Sequence, residues 1–115
     1  MTARILAQAD SVISYYNNGN IKSIIRVTDK VRDGEAAFYW ENGKLKENLS
    51  YVNGRVEGLV RRYDDNGILR EMFTIENGKR EGPTSLFDST GTYLKDVDYE
   101  EGIMVVDKIV LDTGI

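Results

Sequence analysis

Tyr63-Asp64-Asp65-Asn66-Gly67-Ile68-Leu69-Arg70-Glu71, continued by Ile75-Glu76-Asn77-Gly78-Lys79-Arg80-Glu81-Gly82, decides how this chain reads. Its two Asn-Gly pairs interrupt runs in which apolar and polar residues alternate, the strongest short-range signal for a β-hairpin. Asn and Gly both tolerate the positive φ that a tight turn demands. Twenty-four residues upstream the same text recurs, as Tyr39-Trp40-Glu41-Asn42-Gly43-Lys44-Leu45-Lys46-Glu47 and then Tyr51-Val52-Asn53-Gly54-Arg55-Val56-Glu57-Gly58.

The period holds along the chain. Gly19, Gly43, Gly67 and Gly91 keep it, as do Gly34, Gly58 and Gly82, and again Gly54, Gly78 and Gly102. Tyr15, Tyr39, Tyr63 and Phe87 keep it too, and so do Ile21, Leu45, Leu69 and Tyr93. The 115 residues therefore divide into four 24-residue copies, 15–38, 39–62, 63–86 and 87–110, with a cap at 1–14 and another at 103–115. The outer copies decay: Asp29-Lys30 replaces an Asn-Gly, and Val106 stands where a last glycine belongs. Terminal units of a repeat array are commonly atypical because they must close the stack. The expected fold is all-β: an elongated, twisted antiparallel meander of roughly eight to ten strands, largely single-layer.

Turn length sets which residues share a face. A three-residue loop, Asp65-Asn66-Gly67, makes Gly67 the left-handed bulge residue. It places Tyr63 opposite Leu69, Arg61 opposite Glu71 and Leu59 opposite Phe73. A two-residue loop would set Tyr63 against Arg70. The bulged loop predicts one core face of Tyr15, Ile21, Ile25, Val27, Tyr39, Leu45, Leu49, Tyr51, Tyr63, Leu69, Phe73, Ile75, Phe87, Tyr93, Val97 and Tyr99. Each such side chain contributes roughly 1.5 to 3 kcal/mol when fully buried, and a single layer buries it in part. Gly19, Gly43, Gly54, Gly67, Gly78 and Gly91 are the expected turn glycines. A two-residue Asn53-Gly54 turn would need Gly58 as a compensating bulge.

Composition narrows function. With no His and no Cys, ordinary zinc sites, Cys nucleophiles, Ser-His triads and disulfides are all unavailable. Neither a glycine-rich nucleotide loop nor an EF-hand calcium loop is present. No cofactor or metal is expected. Glu47 and Glu71 occupy one repeat position and read as a structural ladder with Arg61 and Lys95 rather than a catalytic pair; a carboxylate-based hydrolase is the remaining enzymatic alternative. The net charge of −4 is unevenly spread: residues 1–62 hold ten basic and seven acidic side chains (+3), residues 63–115 five and twelve (−7). That sign argues against nucleic acid as a partner. The sequon Asn48-Leu49-Ser50 lacks a secretory signal before it, so the chain is expected in the cytoplasm, an exported and trimmed chain being the alternative.

The same register predicts Tyr16, Phe38 and Trp40 on the side away from the core, beside Lys22, Lys44 and Lys46. Exposed aromatics among cations suit a partner-binding patch. The apolar run Ile103 to Leu111 reads as a closing strand, or as one that pairs with a second copy.

The pattern Tyr-x-x-Asn-Gly-x-Leu-x-Glu followed by Tyr-x-Asn-Gly-x-x-Glu-Gly, clearest in residues 39–58 and 63–82, resembles MORN-like repeats, in the variant found in bacterial proteins of the YwqK antitoxin type. The resemblance spans 15–102. It implies a twisted antiparallel sheet and a non-catalytic scaffold that binds a partner protein, a toxin in the antitoxin case. Membrane-surface association is the alternative it carries, against which stand the negative charge and the lack of a Lys/Arg cluster.

Overall fold

The computed structural model describes residues 9–106. The expected caps beyond those limits, Ile109 to Leu111 among them, lie outside the described residues. Eight long strands carry the fold: β1 (Ala9–Tyr15), β2 (Ile21–Thr28), β3 (Val31–Tyr39), β4 (Leu45–Val52), β6 (Gly58–Tyr63), β7 (Leu69–Glu76), β9 (Gly82–Phe87) and β10 (Tyr93–Glu100). Three two-residue strands, β5 (Arg55–Val56), β8 (Lys79–Arg80) and β11 (Ile103–Met104), lead out of the tight turns. All join one antiparallel sheet in sequence order, with no helix among the described residues. The molecule measures 74 × 39 × 19 Å.

The three-residue loops form as read. Asp64 N–H donates to Ile68 O (2.9 Å) and Gly67 N–H to Asp64 O (2.9 Å), with Gly67 at φ +86°. The equivalent bonds recur around Gly19, Gly43 and Gly91. Amide donors from Ile68 and Asn66 hold the Asp64 carboxyl below the usual carboxylate range; at Asp88 the Thr90 hydroxyl leads, followed by the Thr92 and Thr90 amides. At the opposite end of each hairpin, Asn53-Gly54 and Asn77-Gly78 make two-residue turns with both residues at positive φ. Asp29-Lys30 (φ +50° and +68°) and Glu101-Gly102 make the same turn without Asn-Gly.

Gly58 (φ +89°) and Gly82 (φ +84°) are the compensating bulges. Each follows an acid whose role crosses into the next repeat. Asp33, Glu57 and Glu81 accept from the amides of Asn53 (3.2 Å), Asn77 (2.9 Å) and Glu101 (3.0 Å). The Glu-Gly step is thus one acceptor that ties down the following turn and one corner that L-residues enter at a cost.

A second bulge corrects the expected core. Tyr15 pairs with Ile21 but Ser14 with Ser23, so Lys22 is an extra residue. Lys46, Arg70 and Leu94 are extra in the same way. Beyond each bulge the pairing moves by one: Arg62, not Arg61, opposes Glu71, and Val60, not Leu59, opposes Phe73. Adjacent strand residues point to opposite faces. The single face expected from the sequence therefore splits in two. Ile25, Val27, Leu49, Tyr51, Phe73, Ile75, Val97 and Tyr99 take one side; the Tyr15, Ile21, Tyr39, Leu45, Tyr63, Leu69, Phe87 and Tyr93 row takes the other.

Candidate binding surface

The first of these faces is the better covered. Ile25, Ala36 and Tyr51 form its cluster, with Val27, Phe38, Leu49 and Val56 against them. Ala36, Val60 and Thr84 sit one period apart, and all three are buried. With no second layer among the described residues, long cations cover the rings. The Arg32 guanidinium lies 5.2 Å from the Tyr51 centroid, Arg62 lies 5.0 Å and Arg80 3.7 Å from Phe73, and Arg80 lies 5.2 Å from Tyr99. Carboxylates hold two of these cations in place: Arg62 bonds Glu47 (2.6 Å) and Glu71 (3.3 Å), and Arg80 bonds Glu71 (3.0 Å). The glutamate ladder exists, but its cations are Arg62 and Arg80 rather than Arg61 and Lys95, a direct result of the second bulge. Burial alone opposes the Arg62 charge, yet its bonds to Glu47 and Glu71 outweigh that and raise its pKa.

The six residues expected as a binding patch fall on this covered face or at its loop end. Phe38 packs on the core cluster, contrary to the outward position expected. Trp40, two residues on, shares its side. The Tyr16 hydroxyl donates to Tyr39 O (2.6 Å) and Trp40 Nε1 to Tyr63 O (3.3 Å), so each ring staples its copy to the next. In the third copy Arg70 Nε does the same to Phe87 O (2.9 Å). Lys22 lies over the Tyr16 ring (5.7 Å) and Lys46 over Trp40 (4.6 Å), while Lys44 reaches Asn66 O (3.3 Å). These groups already have partners inside the array.

The other face is open. Its row of Tyr15, Ile21, Tyr39, Leu45, Tyr63, Leu69, Phe87 and Tyr93 crosses all eight long strands, one residue per strand. At about 4.8 Å per strand the row runs roughly 34 Å. The interior members are half-buried, and at the end of the row Phe87 meets Tyr93 edge to face at 5.9 Å. Beside the row lies a shallow depression whose walls include Ile24, Arg26, Ala37, Asn48, Leu59 and Arg61. Arg26 and Arg61 make no ion pair among the described residues. The sequence placed this row in a core; nothing among the described residues covers it.

Three matches to a family model described as MORN repeat variant span residues 11–28, 32–53 and 56–77, more than half of the chain. The chain belongs to the MORN repeat variant family. Each MORN match brackets one hairpin around its three-residue loop, and the fourth hairpin, β9 to β10, repeats the MORN geometry beyond the last match. No curated protein and no solved structure matches the chain. MORN repeats are in general protein- or membrane-binding modules, and their all-β fold is typically non-catalytic.

Proposed function

We propose that this MORN chain is a non-catalytic scaffold that captures a partner protein in the cytoplasm, in the manner of an antitoxin or immunity protein. The observation that carries the reading is the uncovered aromatic and aliphatic row from Tyr15 to Tyr93. Large apolar side chains left half-buried to exposed in one continuous strip mark an interaction surface, and aromatic anchors carry most interface energy. Arg26 and Arg61 beside the row, without an ion pair among the described residues, supply cations of the kind an interface rim uses.

Because the chain has no cysteine, a photo-cross-linker can be attached at one chosen position. Asn48→Cys lies on the row side, opposite Ala37 and Arg61; Arg55→Cys lines the groove of the covered face. After irradiation in cells of the source organism, Asn48→Cys is expected to give a discrete protein adduct and Arg55→Cys little or none. Adducts from Arg55→Cys alone would remove the row from the account. Sedimentation of the wild-type chain with acidic liposomes separates the membrane reading: this account expects it to stay in the supernatant.

A further inference from the structure

We propose that copies of this chain associate head to tail, the outer edge of β10 in one copy receiving β1 of the next, so that the 24-residue repeat continues across the junction. This goes beyond partner capture, since it uses the two sheet edges rather than the row face.

The register comes from the array itself. β2 receives β3 with Ser23 opposite Phe38, Ile24 opposite Ala37 and Ile25 opposite Ala36. β4 receives β6 with Glu47 opposite Arg62 and Asn48 opposite Arg61, and β7 receives β9 with Glu71 opposite Leu86 and Met72 opposite Ser85. β10 is the next receiving strand of that series, and β1 is of the received type, like β3, β6 and β9, and has no such neighbour among the described residues. One period on, Lys95 faces Ser14 of the next copy, Asp96 faces Ile13, and Val97 faces Val12. Among the described residues, β10 is paired on that side only at its far end, by Ile103 and Met104 and by the bond from Val105 N–H to Asp98 O.

Within the chain, each return strand has a positive-φ glycine where it comes onto its neighbour, Gly34, Gly58 or Gly82. Val106 holds that place in the last copy, and a β-branched residue there is strongly disfavoured. Among the described residues the edge past Val97 carries no strand, and unpaired edges recruit strands.

Side chains and charge agree on which strand. Tyr15 and Tyr93 end the open row and are its most exposed members, at 60 % and 53 %; the junction makes them neighbours and continues the row. Val12, in the repeat position where Ala36, Val60 and Thr84 are buried, is 54 % exposed at the free edge. Strands follow sequence order, so the charge asymmetry of the chain lies along its long axis. The β1–β2 hairpin carries Lys22 and Arg26 against Asp10, while β9 to β11 carry Lys95 against Asp88, Asp96, Asp98, Glu100 and Glu101. Head-to-tail stacking joins ends of opposite sign, and two-fold pairing of like edges joins ends of the same sign.

Directly opposed Cα atoms in an antiparallel pair lie about 4.5 to 5.5 Å apart, within disulfide reach. Ile13→Cys and Asp96→Cys both alter exposed positions in a chain with no cysteine of its own. Mixed and oxidised, the two variants are expected to form a disulfide dimer in at least several-fold higher yield than either variant alone. The chain carrying both is expected to give a ladder of covalent oligomers, and 1 M salt to reduce the yield. Ile13→Cys mixed with Asp98→Cys, two residues out of register, is expected to react poorly. No mixed dimer, or Ile13→Cys linking to itself as well as to Asp96→Cys, overturns the proposal.

Discussion

Val60→Asp is expected to abolish cooperative folding at room temperature, while Leu59→Asp is expected to leave it intact. The two residues are neighbours in β6 and face opposite ways. Val60 is 2 % exposed and lies opposite Phe73, whereas Leu59 is 39 % exposed and lies opposite Thr74 on the open face. Aspartate is a poor strand former at either place, which costs up to about 1 kcal/mol in both variants and cancels in the comparison. The difference lies in burial. An unpaired carboxylate at the Val60 position loses water without gaining a donor, since Arg62 is already committed to Glu47 and Glu71; such burial costs several kcal/mol and forces the group to protonate. Urea titration by circular dichroism reads the outcome. The sequence-level register, with Leu59 inward, predicts the reverse order.

Phe73→Ala is expected to cost about 3 to 5 kcal/mol, the range for deleting a buried Phe ring, and so a large share of the roughly 5 to 15 kcal/mol that holds a domain together. The ring is 4 % exposed although the described residues form no second layer. Its cover is the pair of guanidinium groups of Arg62 and Arg80, one held by Glu47 and both by Glu71. Truncation removes the apolar surface, leaves Arg62 without a ring beneath it and leaves Arg80 only Tyr99. Phe73→Leu, which keeps most of the volume, is expected to lose much less. A loss below about 1 kcal/mol for Phe73→Ala, under the usual cost of a buried truncation, would show that the arginines do not seal this face.

Much of this architecture is legible in the sequence because most of its turns are written in Asn and Gly, the residues that enter positive φ most readily. Gly67 and its equivalents, Asn53-Gly54 and the corner glycines all need positive φ, and glycine spacing reports them. The extra residues Lys22, Lys46, Arg70 and Leu94 carry no such mark. A bulge of this kind asks nothing unusual of the side chain, so alternation passes through it unnoticed. Arg61 and Arg62 stand side by side, and either satisfies Glu71 on paper. A signal was nevertheless present: Ala36, Val60 and Thr84 repeat every 24 residues as small or β-branched groups, the shape a crowded position between large neighbours requires. The roles of Tyr16 and Trp40 were hidden for a different reason. Their acceptors are backbone carbonyls 23 residues away, in a neighbouring copy, and carbonyls leave no trace in a sequence.

The central claim is that the second bulge gives the sheet two unlike faces, one sealed by arginines and one offering the Tyr15 to Tyr93 row. Cross-strand NOEs between backbone protons in uniformly labelled protein test it most directly. The account predicts contacts pairing Arg62 with Glu71 and Val60 with Phe73, together with Tyr63 and Leu69. Contacts pairing Arg61 with Glu71 and Leu59 with Phe73 would contradict it, and would return the aromatic row to the core.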